Sequence, residues 1–187
     1  MRDTKLLDTQ DCRRLLQVVC ASKSSNLYEW ASSYFSNIAF AHRIKHVIEN
    51  EKDADIMGLA LICLRDSEIT VEEKADLLTT LAQTKYEDAT VYMNIAQVAG
   101  HLLYHSFHPR LLDLLFTLRK HQDTLVEDEA NYQLSDLPSA DGLGEESLAK
   151  LFSYLVFNKG LGADLTASMS YVVKYLAQNF NITYKGN

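Results

Sequence analysis

The chain has 187 residues, 47% apolar and 23% charged, enough for a buried core and far from the low-hydrophobicity composition of disordered chains. Its 2 prolines and 7 glycines are too few for a sandwich or barrel with a turn every ten residues, and 18 basic against 25 acidic residues argue against a nucleic-acid partner held by electrostatics. The three cysteines, Cys12, Cys20 and Cys63, neither build a disulfide scaffold nor match a metal-ligand spacing, and no apolar leader or 18-residue apolar run is present, so a soluble, cytoplasmic protein without a membrane span is expected.

Apolar residues recur at period 3.6, and the predicted fold class is all-α. About eight helices in consecutive antiparallel pairs are expected within a single domain over residues 1–187, as an irregular bundle or a short HEAT- or TPR-like array of helical hairpins. The first pair is predicted at 9–20 and 27–49, with Thr9 capping one helix and Asn26 with Glu29 boxing the start of the next. Leu27, Trp30, Ala31, Tyr34, Ile38 and Ala41 form one apolar stripe, which is expected to be core.

The second pair is predicted at 53–65 and 70–83. The run from Ile56 to Leu64 is apolar all round, as a helix covered on most sides by others must be. Thr70 and Glu73 form a capping box, with Glu72 and Glu73 set against the positive end of the helix dipole. The acidic turn Asp66–Glu73 resembles an EF-hand loop and the turn of tellurite-resistance TerB-like helical domains. It departs from the calcium pattern, because the central glycine is absent and Leu77 stands where the bidentate Glu belongs.

The third pair is predicted at 88–107 and 109–120, with Pro109 in the first turn, where its missing N–H costs nothing. After a long acidic loop at about 121–144, the fourth pair is expected at 145–158 and 165–180, with Gly160 ending one helix and Asp164 capping the other. The two Gly-Leu-Gly stretches, 142–144 and 160–162, read as turns, because no Lys-Ser/Thr follows and acids stand nearby.

Charge is distributed unevenly. Eight carboxylates and no Lys or Arg lie between Lys120 and Lys150, so the rest of the chain, with 18 basic and 17 acidic residues, is nearly neutral. Leu125, Val126, Tyr132 and Leu134 are interleaved with those acids, a mixture suited to a basic or apolar partner surface.

His101, His105 and His108 fall at i, i+4 and i+7, and Asn94 and Gln97 extend the polar line on an otherwise apolar segment. Two imidazoles one turn apart can share a zinc ion, but a site needs further ligands. His42 and His46 form a second such pair beside Arg43 and Lys45, whose charges would repel a cation, so a basic helix face is the better reading. Cys63, in an apolar run, is expected to be an inert core thiol, and Cys12 and Cys20 are less obviously buried. Neither a nucleophile elbow, a Walker motif, a dinucleotide fingerprint nor a di-iron repeat is present in the sequence.

The function expected is therefore a non-catalytic helical protein–protein interaction module, such as an adaptor, chaperone-like binder, inhibitor or effector. Its partner-binding residues would be Glu127, Asp128, Glu129, Tyr132 and Leu134 on the acidic loop and Asn94, Gln97 and His101 on the helix face. A protein partner is expected, with no nucleic acid, no membrane and no cofactor. The alternative is a metal- or small-ligand-binding helical protein, an enzyme among the options, using His101, His105 and His108. A nucleic-acid binder using Arg43, Lys45 and Lys52 is disfavoured by the overall charge.

Overall fold

The computed structural model describes residues 7–137 and 145–154. In that range the chain is all-helical, with no strand among the described residues. Its helices are α1 (Thr9–Ser22), α2 (Ser25–Phe35), α3 (Ile38–Asn50), α4 (Ala54–Arg65), α5 (Val71–Gln83), α6 (Ala89–His105), α7 (Pro109–Leu118), α8 (Thr124–Asp136) and α9 (Glu145–Tyr154). The chain divides into two compact units, one through Val98 and one from Ala99 onward, and α6 contributes residues to both.

In the first unit α1 packs against α2, α3 and α4, and α4 packs against α2 and α3 as well. Contact of α1 with α2, α3 and α4 together is consistent with a helical bundle. The core is built from Leu16, Phe35, Ile44, Met57, Leu61 and Leu78, all fully buried. As its all-round apolar composition requires, α4 is the central helix, with eight buried residues from Ile56 to Leu64.

Several boundaries follow from local chemistry. Thr70 accepts a hydrogen bond from the Glu73 backbone N–H at 3.2 Å, and Glu73 accepts one from the Thr70 backbone N–H, so the capping box that opens α5 is formed. Pro109 takes the first position of α7. At the start of α1 the cap is Asp8, which accepts from the Asp11 N–H; Thr9 is already helical.

The helix predicted at 27–49 is two helices. Asn37 leaves helical geometry at ψ 138° and its side-chain oxygen accepts from the Ala39 N–H at 2.9 Å, so α2 ends at Phe35 and α3 starts afresh at Ile38. Ser and Asn side chains compete with the helix for backbone partners in this way. Apolar residues stay in phase across the break, which is why periodicity alone reads straight through it. The predicted Asn26–Glu29 box is also replaced: Ser24 stands at the N-cap without a side-chain cap bond.

In the second unit α7 packs on α8. The segment expected to be loop over 121–144 contains α8, capped by Asp123, whose side chain accepts from the Leu125 N–H at 2.9 Å. Val126, Ala130, Leu134 and Leu137 recur every three to four residues and are buried, and this apolar strip outweighs the acids between them. Of the fourth pair, α9 is observed at Glu145–Tyr154; the predicted helix at 165–180, Asp164 and both Gly-Leu-Gly turns lie outside the described residues.

Candidate functional site

The stripe expected to be core in α2 and α3 is largely surface. Ala31 and Ala41 are buried, but Leu27, Trp30, Tyr34 and Ile38 are between 38% and 46% exposed. The inward face of α2 is set by Ala31 and Phe35, and Leu27, Tyr34 and Trp30 fall on the adjoining arc, about 40 to 100° from Ala31 at 100° per residue.

These side chains are ordered by one another. Trp30 stacks on Tyr34 with ring centroids 5.1 Å apart and planes 17° from parallel, and Tyr34 stacks on Phe40 at 4.9 Å and 29°. Phe35 meets Tyr34 and Phe40 edge-on from the core side, and the Arg43 guanidinium sits over the Phe40 ring, 5.8 Å from its centre. The column borders a shallow groove of about 540 Å³ lined by Trp30, Ser33, Tyr34, Asn37, Ala39 and Phe40. No charged side chain lines this groove, and rings packed in this way present area to a partner at small cost in conformational freedom.

A second opening in the same unit, of about 700 Å³, lies between the α3–α4 turn and the α5–α6 connection. Its wall is braced by Tyr92, whose hydroxyl donates to the Thr84 carbonyl at 2.8 Å and accepts from the Tyr86 N–H at 3.1 Å. Lys52 and Lys85 line it together with Glu49, Glu51, Glu87 and Asp88, a mixed lining in which carboxylates outnumber ammonium groups and Glu51 is paired with Arg13. Beside it, the buried Glu51 carboxylate accepts from the backbone N–H groups of Lys52 and Asp53 and pairs with Arg13 at 2.7 Å, tying α1 to the α3–α4 turn.

The residues selected from the sequence are dispersed. Asn94 faces α4, where a Cβ on Gly58 would stand 2.6 Å from its amide nitrogen, so this side chain is a half-buried packing element. Gln97 is exposed and His101 is half-buried. His101 and His105 meet edge-on with centroids 4.8 Å apart, but α6 stops at His105 and His108 stands at the N-cap of α7. The predicted i, i+4, i+7 line is therefore broken at its third member. Among the described residues no group of three or more His, Cys, Asp or Glu is placed to hold a metal ion.

On α8, Glu127, Asp128 and Tyr132 are exposed and Glu129 is partly so, accepting from the Gln133 side chain at 2.7 Å. Leu134 is a correction: it is 1% exposed and belongs to the core, because α8 turns it inward with Val126 and Ala130.

The acidic turn after α4 uses its groups locally. Asp66 accepts from Arg65 at 2.6 and 2.9 Å and from Ser32 at 2.5 Å, while Lys74, itself buried, donates to the carbonyls of Arg65 and Ser67. Burial pushes the Cys12 thiol up to about 11 and Cys63 up to about 12, so neither is a thiolate nucleophile at neutral pH. Cys63 is the core thiol expected, and Cys12 is equally buried. The Thr70 hydrogen bonds hold Glu73 below the usual carboxylate range, and the nearby Lys45 charge acts in the same direction.

The class defined by these observations is an all-α helical bundle with an exposed aromatic column on its second and third helices, and no helix among the described residues is long and apolar enough to cross a membrane. No protein-family model matches the chain, and comparison with the curated proteins and with the solved structures gave no match.

Proposed function

We propose that the chain is a non-catalytic protein–protein interaction module and that the aromatic column of α2 and α3 is one of its contact surfaces. The observation that carries this reading is the stacking of Trp30 on Tyr34 while both remain more than a third exposed, beside Leu27 and Ile38 in the same state. Contiguous exposed apolar area of this kind marks interaction sites, and Trp and Tyr are the residues that most often dominate their energetics. The groove beside the column offers hydrogen-bonding groups from Ser33 and Asn37, so a partner segment would meet a floor of rings with a polar edge.

Site-specific photocrosslinking tests this. A photoreactive phenylalanine analogue at Tyr34 is expected to give a discrete adduct with one companion protein in the source cells, and the same analogue at the exposed Thr80 is not. Addition of excess unlabelled protein should suppress the adduct, and the Trp30→Ser protein should fail to compete. Equal labelling from both positions would refute the proposal.

A further inference from the structure

The outward face of α8 is independent of the aromatic column and carries a different chemistry. With Val126, Ala130, Leu134 and Leu137 turned inward, Leu125 and Tyr132 point away from the core at 59% and 62% exposure. Seven residues separate them, which places them within about 20° of one meridian and about 10 Å apart along the axis. Asp128 lies to one side of this line and Glu129 to the other, each within about 60° of it at 100° per residue. Glu129 is held by Gln133, which in turn packs over Gly100 of α6. No Lys or Arg occurs from 121 to 149, so α8 has no cation of its own at i±3 or i±4 to neutralise these carboxylates.

We infer that this face docks a cationic amphipathic helix of a partner protein, one with apolar anchors two turns apart and Lys or Arg flanking them. The apolar pair is matched by an equal spacing on the partner helix, and the carboxylates of Asp128 and Glu129, one on each side, select the sign of its flanks, as flanking charges do in paired helices. A second copy of this chain is a poorer match. Its basic helix, α3, already engages its two cations at home: Lys45 near Glu73, and Arg43 over Phe40 and on the Ala39 carbonyl.

The inference adds a partner chemistry to the interaction reading but uses other residues, so each can fail alone. The test is a displayed library of 21-residue helices with Leu fixed at two positions seven apart and each flanking position encoding Lys or Glu, selected on the full-length protein. Lys is expected to be enriched at the flanks. The selected peptide, made synthetically, should lose at least tenfold in affinity for Leu125→Ser/Tyr132→Ser and for Asp128→Lys/Glu129→Lys, weaken with added salt, and bind Trp30→Ser as it binds the wild type. Leu125, Asp128, Tyr132 and Trp30 are exposed and Glu129 is partly so, bonded to Gln133, so unchanged circular dichroism and melting temperature of each variant are required to confirm the fold. Enrichment of Glu, no preference at the flanks, or a selected peptide that binds the α8 variants undiminished would overturn the inference. So would concentration-dependent self-association that the same α8 substitutions abolish, since that would give the face to a second copy.

Discussion

The ammonium of Lys74, on α5, donates to the backbone carbonyl of Arg65 at the end of α4, at 2.8 Å, and to that of Ser67 at 2.7 Å. The buried side chain satisfies one carbonyl left open by the last turn of α4, that of Arg65, and one in the turn that follows, that of Ser67. Lys74→Met keeps the aliphatic stem and removes the donors, so it should cost about 1–3 kcal/mol. The check is urea denaturation followed by circular dichroism, where the midpoint falls and the slope is unchanged.

Gly100 sits where α6 meets α8. A Cβ there would stand 2.7 Å from the Cβ of Gln133, an atom fixed to the α8 backbone. Elsewhere in a helix, Gly→Ala stabilises by up to about 1 kcal/mol. Gly100→Ala is expected to reverse that sign and destabilise by about 1–3 kcal/mol through overpacking. A thermal-melt comparison gives the sign directly.

Glu51 gives a pH dependence. Burial alone would raise its carboxyl, but the backbone N–H groups of Asp53 and Lys52 and the Arg13 guanidinium outweigh burial and hold it below the ordinary value. A carboxyl depressed in the folded state binds fewer protons there than in the unfolded chain. Its stabilisation is therefore complete above the unfolded value and is lost as pH falls through the folded one. Glu51→Gln should cost about 1–3 kcal/mol at neutral pH. Urea midpoints of variant and wild type should converge in acid, and a gap that stays constant down the acid limb would contradict this role.

Thiol reactivity should follow burial. Burial raises the pKa of all three thiols, but Cys12 and Cys63 are fully buried whereas Cys20 is partly exposed, its thiol donating to the Asp55 carbonyl at 3.4 Å. Under native conditions at mildly alkaline pH, alkylation should reach Cys20 first, and all three thiols should react only in urea. Peptide mapping of the labelled protein would show the order.

Much of the fold was legible where one local rule dominates: Thr70 with Glu73 for the start of α5, Pro109 for α7, and the all-round apolar run for the central α4. Helix α8 also had a readable signal, Asp123 followed by Val126, Ala130, Leu134 and Leu137, but a dense acidic run masked the periodicity. The break at Asn37 was not legible, because Tyr34, Ile38 and Ala41 remain in helical phase across it.

The aromatic column was legible in the sequence only as an apolar stripe assigned to the core, and none of the residues selected there as partner-binding belongs to it. Trp30 and Tyr34 were picked out as one apolar face, yet periodicity cannot say which of two adjoining arcs a helix buries. Small Ala31 and bulky Phe35 take the interior of α2, and the larger stripe is left at the surface. Asn94 and Leu134 fail in the opposite direction, because the close approach of α6 to Gly58 and the inward turn of α8 are tertiary facts.

The central claim, that the aromatic column is a contact surface, is tested most directly by quantitative mass spectrometry of the proteins that accompany the tagged chain and its Trp30→Ser/Tyr34→Ser variant out of the same cells. The account predicts at least one companion at stoichiometric level with the wild type and depleted tenfold or more with the variant, while both proteins show the same helical content and melting temperature. An identical set of companions for the two proteins, at equal yield, would contradict it.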